Sequence, residues 1–328
     1  MSAIERWLQQ QWYRSGPAQL ALLPLSWLFG LLASMRRLAY RMGLLRSYKL
    51  PVPVIVVGNI SIGGTGKTPF VLWLAENLQR LGYRPGIISR GYGGKTHEVQ
   101  AVNMDSAPAL VGDEPVLLAR RSSCPVWVGR DRVATAHALL AAHPQCDIII
   151  SDDGLQHYRL QRDIEIVMVD GERRFGNGHL LPAGPLREGR RRLHAVDAVV
   201  INGGRSDAAG YIMRLEADAL HNLLDSTKTI QPAELAGQSI CAIAGIGNPS
   251  RFFRQLRTLG LQFEQRRFPD HHAFQPADLQ SLQADVILMT EKDAVKCAAF
   301  ARANWWYLPV NAVVDSELLK HIMQKLRK

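Results

Sequence analysis

The stretch Val54-Ile55-Val56-Val57-Gly58-Asn59-Ile60-Ser61-Ile62-Gly63-Gly64-Thr65-Gly66-Lys67-Thr68 decides how this chain folds. Its first four residues form a short, apolar, β-branched run closed by glycine, the pattern of a parallel strand buried on both faces. Beyond it, Phe70, Leu74, Leu78 and Leu81 recur at helical spacing and predict a helix over 69–81. Between strand and helix, Ser61, Ile62, Gly63, Gly64, Thr65, Gly66, Lys67 and Thr68 read as a Walker A phosphate loop. Glycine lets successive backbone N–H groups turn toward an anion, and the helix that follows aims its positive end at the same place. Lys67 is then expected at the β- and γ-phosphates of ATP, and the Thr68 hydroxyl on Mg²⁺. Ser61 stands where the motif usually opens on glycine, a position at which a small residue suffices.

The pattern repeats outward from this unit. Further strands are expected over 86–89, 126–128, 148–150, 164–169 and 195–201, with helical stretches between them. A more polar stretch runs to about residue 238. A second strand-loop-helix series follows, with strands over 239–244, 285–289 and 305–310 and a helix from residue 250. The fold class is therefore α/β: a P-loop NTPase-like, mostly parallel sheet with helices on both faces, plus a smaller second α/β lobe. The expected division is residues 1–50 as N-terminal membrane-associated helices, 51–225 as the P-loop core and 226–328 as the smaller lobe.

The formal charge of +10 is unevenly spread. Residues 1–50 carry seven basic side chains (Arg6, Arg14, Arg36, Arg37, Arg41, Arg46, Lys49) against one acid, Glu5. Between Arg14 and Arg36 lie 21 uncharged residues rich in leucine and tryptophan, long enough to span a bilayer. Pro24, Gly30, Gln19, Ser26 and Ser34 weaken a spanning reading. Basic flanks together with Trp12, Tyr13, Trp27 and Tyr40 favour helices lying on an anionic membrane. The run Arg190-Arg191-Arg192 reads as a solvated basic face, with lipid contact as the alternative. Nucleic acid is disfavoured as a partner, since zinc-finger spacings and aromatic-basic ribonucleoprotein signatures are missing from the sequence. The four cysteines are widely spaced and read as small buried hydrophobes in a reducing compartment.

Two acids follow the strand Ile148-Ile149-Ile150-Ser151, so Asp152 or Asp153 has the position of a Walker B carboxylate that holds the metal. Asp170, at the end of another strand, reads as a turn or capping residue.

Five further stretches occur in a distinctive order: Ser89-Arg90-Gly91-Tyr92-Gly93, Val111-Gly112-Asp113-Glu114-Pro115, Asp152-Asp153-Gly154-Leu155-Gln156-His157, Leu181-Pro182-Ala183-Gly184-Pro185-Leu186-Arg187-Glu188 and Thr290-Glu291-Lys292-Asp293. The set resembles the tetraacyldisaccharide 4′-kinase family of lipid A synthesis from residue 54 to residue 293. The resemblance implies phosphoryl transfer from ATP to the 4′-hydroxyl of a lipid-linked glucosamine disaccharide at the cytoplasmic face of the inner membrane. The partners it implies are the lipid substrate and the anionic membrane surface, without an obligate protein partner. In that family an aspartate oriented by a histidine takes the hydroxyl proton. The positions that match are Asp113 and His271, with His272 next to it left as an alternative. Arg187 suits the charge of the transferring phosphoryl group. Tyr92, Glu114, Arg132, Gln156 and Glu188 are the expected substrate contacts, and Lys292 and Asp293 read as neighbours of the nucleotide base.

Membrane-surface ATPases of the partition or septum-placement kind also carry Gly-Gly-Thr-Gly-Lys-Thr. They place a lysine directly before the two glycines, where this chain has Ile62. A nucleotide-gated binding module would have no use for an acid pair and a distant histidine converging on the phosphate.

Overall fold

The computed structural model describes residues 12–13, 16–204 and 210–327. Glu5, Arg6 and Arg14 of the expected N-terminal charge cluster lie outside these residues. The strands are β1 Val54–Gly58, β2 Pro85–Ser89, β3 Gln100–Val102, β4 Val126–Val128, β5 Ile148–Asp152, β6 Ile164–Asp170, β7 Ala198–Asn202, β8 Tyr211–Glu216, β9 Leu220–Asn222, β10 Thr229–Ile230, β11 Ile240–Ala244, β12 Glu264–Arg267, β13 Val286–Thr290, β14 Trp305–Leu308 and β15 Asn311–Val314. Among the described residues they form two sheets, ordered β15-β8-β7-β6-β1-β5-β2-β4-β3 and β10-β9-β14-β13-β11-β12.

β1 lies in the middle of the larger sheet, parallel to β5 and β6. All five of its residues are buried, because each face has its own helical cover. Ile55 and Val57 pack with Phe70, Leu74 and Leu78 of helix Lys67–Arg80. Val54 and Val56 pack with Val133, Ala136 and Leu139 of helix Arg132–Ala142. Burial of each such side chain contributes about 1.5–3 kcal/mol before chain entropy is subtracted. The smaller sheet repeats this arrangement on β11. Ala242 and Ala244 face Phe252, Phe253 and Leu256 of helix Pro249–Thr258, while Cys241 and Ile243 face Phe274 and Trp305.

Two features of the chain path were not readable from periodicity. The polar stretch before residue 238 holds β8, β9 and β10, and the last two already belong to the smaller sheet. After β14 the chain returns to the larger sheet: β15 pairs antiparallel with β8, and helix Ser316–Leu326 buries Leu318 and Ile322 in the first core. The smaller sheet is thus inserted into the larger lobe.

A 25-residue helix, Pro17–Arg41, runs along the outside. Pro24 sits within it, with its side chain on the solvent side. One narrow edge of this helix docks on the core: Gln19 and Ser26 are buried, and Ser26 Oγ donates to the Leu180 carbonyl at 2.7 Å. The rest is apolar and uncovered, with Leu20, Trp27, Leu28, Leu31, Leu32 and Leu38 each more than half exposed. The apolar stretch, residues 19–41, has a mean hydropathy of 1.2.

Candidate active site

The phosphate loop is braced from behind by two asparagines. Asn59, fully buried, donates from Nδ2 to the carbonyls of Ser61 (2.7 Å) and Gly63 (3.3 Å), and its Oδ1 accepts from Lys67 Nζ at 3.3 Å. Asn202, at the end of β7, donates to the Thr65 carbonyl at 3.1 Å. These side chains occupy the carbonyls of Ser61, Gly63 and Thr65, and the Ile62 N–H donates to the Pro185 carbonyl at 2.8 Å, which ties down the start of the loop. Sequence reasoning missed both asparagines. For Asn59 the available signal was an amide directly after the glycine that closes β1.

Lys67 Nζ also lies 3.4 Å from Asp153 Oδ1. Asp153 adopts φ 49°, a left-handed conformation. Burial works to raise Asp153, but Lys67 and Arg187 prevail and hold it down to about 2. Asp152 is wholly buried, and that burial, reinforced by Glu114, pushes it up to about 7 against the pull of Lys67. Its Oδ2 accepts from Ser89 Oγ at 3.3 Å, whereas Oδ1 has no hydrogen-bond partner among the described residues.

Arg187 reaches Asp153 Oδ2 at 3.5 Å and Gln156 Oε1 at 3.4 Å. Gln156 Nε2 donates in turn to the Asn59 carbonyl (3.1 Å) and to Glu188 Oε1 (2.7 Å), and Tyr158 donates to Glu188 Oε2 at 2.6 Å. Lys67, Asp153, Arg187, Gln156 and Glu188 are therefore one connected network. Arg132 departs from the expected substrate contact. It is 2% exposed, and its guanidinium donates to the carbonyls of Gly129 (2.8 Å) and Asp152 (3.2 Å). It sits on the inward side of the acid pair because Asp131 caps the helix that begins with it.

A second cluster forms between the lobes. Asp113 opens helix Asp113–Arg121 of the larger lobe, and His271 lies on the loop after β12 of the smaller one. His271 Nδ1 is 3.2 Å from both carboxylate oxygens of Asp113. His271 adopts φ 56°, a left-handed conformation that costs a non-glycine residue about 1–3 kcal/mol and here turns its ring toward Asp113. His272 is engaged elsewhere, with Nε2 at 2.9 Å from Asp278 Oδ2. The Tyr92 ring, 61% exposed, meets the His271 ring edge-on with centroids 4.9 Å apart. Lys292 Nζ lies 3.1 Å from Glu114 Oε1, 3.8 Å from Asp113 Oδ2 and 3.5 Å from His271 Nε2. Burial works to raise the Asp113 carboxyl, but Lys292, His271 and Lys296 hold it well below the usual carboxylate range.

Lys292 and Asp293 therefore differ from the reading as base neighbours. Lys292 is turned into the acidic cluster, and Asp293, fully buried, accepts from the Gly245 N–H at 2.9 Å and pairs with Lys296 at 2.7 Å. Asp170 caps its own turn by accepting from the N–H groups of Glu172 and Arg173, both at 2.9 Å, and also pairs with Arg251 of the smaller lobe at 3.0 Å. The run at 190–192 is not uniformly solvated. Arg192 is buried, with Nη2 at 2.5 Å from both oxygens of Glu165.

The two clusters are adjacent. A Cβ on Gly247 would stand 2.8 Å from the Gly64 nitrogen and 3.0 Å from Asp270 Oδ2, so the smaller lobe's loop rests directly on the phosphate loop. Arg173 Nη1 secures it by donating to the Gly247 carbonyl at 2.7 Å. The phosphate loop and the acid–imidazole pair thus lie side by side at the junction of the lobes.

The family model described as tetraacyldisaccharide-1-P 4′-kinase, LpxK, matches residues 18–327. A tetraacyldisaccharide 4′-kinase of Methylobacillus flagellatus is 55% identical over 326 residues, covering 99% of this chain and 97% of the relative. One from Nitrosococcus oceani is 49% identical and covers 100% of this chain and 96% of the relative. Among solved structures, LpxK from Aquifex aeolicus in complex with ATP superposes with a TM-score of 0.80 at 30% identity, covering 94% of this chain and 99% of that one.

Proposed function

This chain belongs to the tetraacyldisaccharide-1-P 4′-kinase family, and from that membership we infer that it transfers the γ-phosphoryl group of ATP to the 4′-hydroxyl of tetraacyldisaccharide 1-phosphate. The product is lipid IVA, in the pathway to lipid A. The observation that carries the reading is the adjacency, at the junction of the lobes, of a phosphate loop and an Asp–His pair donated by opposite lobes.

In the mechanism we propose, the N–H groups of residues 63–68 hold the β- and γ-phosphates, and Lys67 neutralises charge on the oxygens between them. Asp113 takes the proton of the 4′-hydroxyl as that oxygen bonds to phosphorus. Its neighbours keep it ionised even though it is buried, so it can accept a proton, at some cost in basicity. His271 orients it through Nδ1. Arg187, paired here with Asp153 and Gln156, meets the transferring phosphoryl group, where a guanidinium stabilises spread negative charge. Gln156, Glu188, Glu114 and Tyr92 line the approach of the sugar.

Mg²⁺ fits the residues present. Two adjacent carboxylates, Asp152 wholly buried and Asp153 partly so, each with an oxygen that lacks a hydrogen-bond partner among the described residues, suit a cation beside them. Thr68, Asp152 and Asp153 would hold it. There it would offset charge on the β- and γ-phosphate oxygens.

The acceptor's acyl chains call for a lipid surface, and the uncovered apolar face of helix Pro17–Arg41 supports one. A cavity of about 490 Å³ lies where this helix ends, lined in part by Arg37, Arg41, Tyr158 and Arg192. Basic side chains at that level suit the anionic cytoplasmic face of the inner membrane. The test is to incubate the full chain with γ-labelled ATP, Mg²⁺ and tetraacyldisaccharide 1-phosphate in detergent and to look for label in the lipid. Label found only in ATP and free phosphate would refute the kinase reading.

A further inference from the structure

Lys292 is a largely buried cation that the mechanism above leaves without a task. Its side chain is 16% exposed and comes from helix Glu291–Cys297, whose start is capped by Thr290 accepting from the Asp293 N–H. From the smaller lobe it crosses to the larger, where Glu114 Oε1 is its nearest partner at 3.1 Å. The same ammonium lies 3.5 Å from His271 Nε2, on the ring edge opposite Asp113. The imidazole is therefore held between an acceptor-only carboxylate and a donor-only ammonium.

These chemistries leave one arrangement of the ring proton. A lysine ammonium has no lone pair to offer, so a proton on Nε2 would point at another donor. An ionised carboxylate has no proton to give, so a bare Nδ1 would set lone pair against lone pair. A neutral ring with its proton on Nδ1 satisfies both sides, and the hydrogen bond at one ring nitrogen fixes the state of the other. The remaining charged groups here are consistent with this. Asp270 Oδ1 is farther from Nε2, at 3.8 Å, and accepts from the His271 N–H at 3.0 Å. Lys296 faces Asp113 Oδ2 at 3.9 Å and Asp293, not the ring. Tyr92 contributes only its ring edge.

We propose that Lys292 is a positioning residue that locks His271 in the Nδ1–H tautomer, so that its proton is directed at Asp113 and the imidazole orients the carboxylate without accepting its proton. The proposal rests on Asp113 and His271 being the proton-handling pair. Because Lys292 and His271 come from one lobe and Asp113 and Glu114 from the other, the lock forms only when the lobes are together. The proton taken from the 4′-hydroxyl accordingly stays on Asp113 until product leaves, rather than passing to the ring.

The test pairs a tautomer measurement with kinetics on the full chain. In ¹⁵N-histidine-labelled wild-type protein, His271 should show a protonated Nδ1 and an unprotonated Nε2. Lys292→Met should abolish that single pattern, and Lys292→Arg, which keeps a donor there, should restore it. Lys292→Met should also lower kcat by about tenfold to a hundredfold, the usual scale for a residue that orients a reacting group, with KM for ATP unchanged. The acidic limb of its kcat profile should move to higher pH, because Asp113 loses a cation that holds its carboxyl ionised. A wild-type His271 protonated at Nε2, or a tautomer unaffected by Lys292→Met, would overturn the assignment. If instead Asp113→Ala leaves turnover unchanged, the proton-handling reading itself fails, whatever the spectrum shows.

Discussion

Replacing Gly66 with alanine asks the phosphate loop to hold a methyl group where two neighbours already stand. Gly66 has φ 88° and precedes helix Lys67–Arg80, and an L-residue in a left-handed conformation costs about 1–2 kcal/mol. Its Cβ would fall 2.2 Å from Asn202 Nδ2 and 3.0 Å from Met213 Cε, both on buried side chains. The Asn202 amide must swing away and lose its bond to the Thr65 carbonyl, and a buried group left without its partner costs about 1–3 kcal/mol. The two effects together destabilise the protein by about 2–5 kcal/mol. If about 1.4 kcal/mol of this is relieved by displacement of the loop, ATP binds about tenfold more weakly. Denaturant unfolding and ATP titration of the variant read both quantities. A double-mutant cycle with Asn202→Ala isolates the clash, since in the double variant only the φ cost remains and about 1–3 kcal/mol should be recovered relative to additivity. A Gly66→Ala protein as stable and as tight for ATP as wild type, or strict additivity in the cycle, would refute this reasoning.

Other expectations concern the metal pair and the membrane face. Asp152 is pushed up to about 7 by burial and by Glu114, so the nucleotide-free protein should lose stability as pH rises from about 4 toward 7. Asp152→Asn removes that charge and should flatten the slope, stabilising the apo protein at pH 8 by up to about 4 kcal/mol while abolishing turnover; an unchanged slope in thermal melts across pH would count against it. Leu28, Leu31 and Leu32 stand more than half exposed on helix Pro17–Arg41. Changing all three to Gln removes about 1.5 kcal/mol or more per side chain from membrane partitioning. Flotation with anionic vesicles should then fall more than tenfold, and undiminished flotation would argue that another surface meets the lipid.

Much of the larger lobe was legible because its strands are buried on both faces and read as continuous apolar runs: Val54-Ile55-Val56-Val57 and Ile148-Ile149-Ile150 are β1 and β5 to within a residue or two. The smaller sheet's outer strands were not, since β9 and β10 are two or three residues long and polar. The return of β15 depends on pairing across nearly one hundred residues, which no local pattern encodes. At the site, Lys67, Asp152 and Asp153 follow from local motifs because strand, loop and helix are contiguous there. The contact of Asp113 with His271 spans 158 positions and was available only through family resemblance. Arg192 misled for a related reason. Its neighbours in sequence are basic, but its partner Glu165 is on β6, and the pair is buried. Lys292 read as a neighbour of the nucleotide base, whereas its ammonium pairs with Glu114, because sequence gives the start of a helix without the direction of its side chains.

The proposed mechanism turns on Asp113 accepting the hydroxyl proton at the junction of the two lobes. Single-turnover transfer of label from γ-labelled ATP to tetraacyldisaccharide 1-phosphate, run beside ATP titration of the same Asp113→Ala protein, measures that step apart from nucleotide binding. The predicted result is transfer slowed by about 10²–10⁴-fold, the scale of a lost general base, with ATP affinity unchanged. Transfer at the wild-type rate, or a slowing wholly matched by weaker ATP binding, would contradict it.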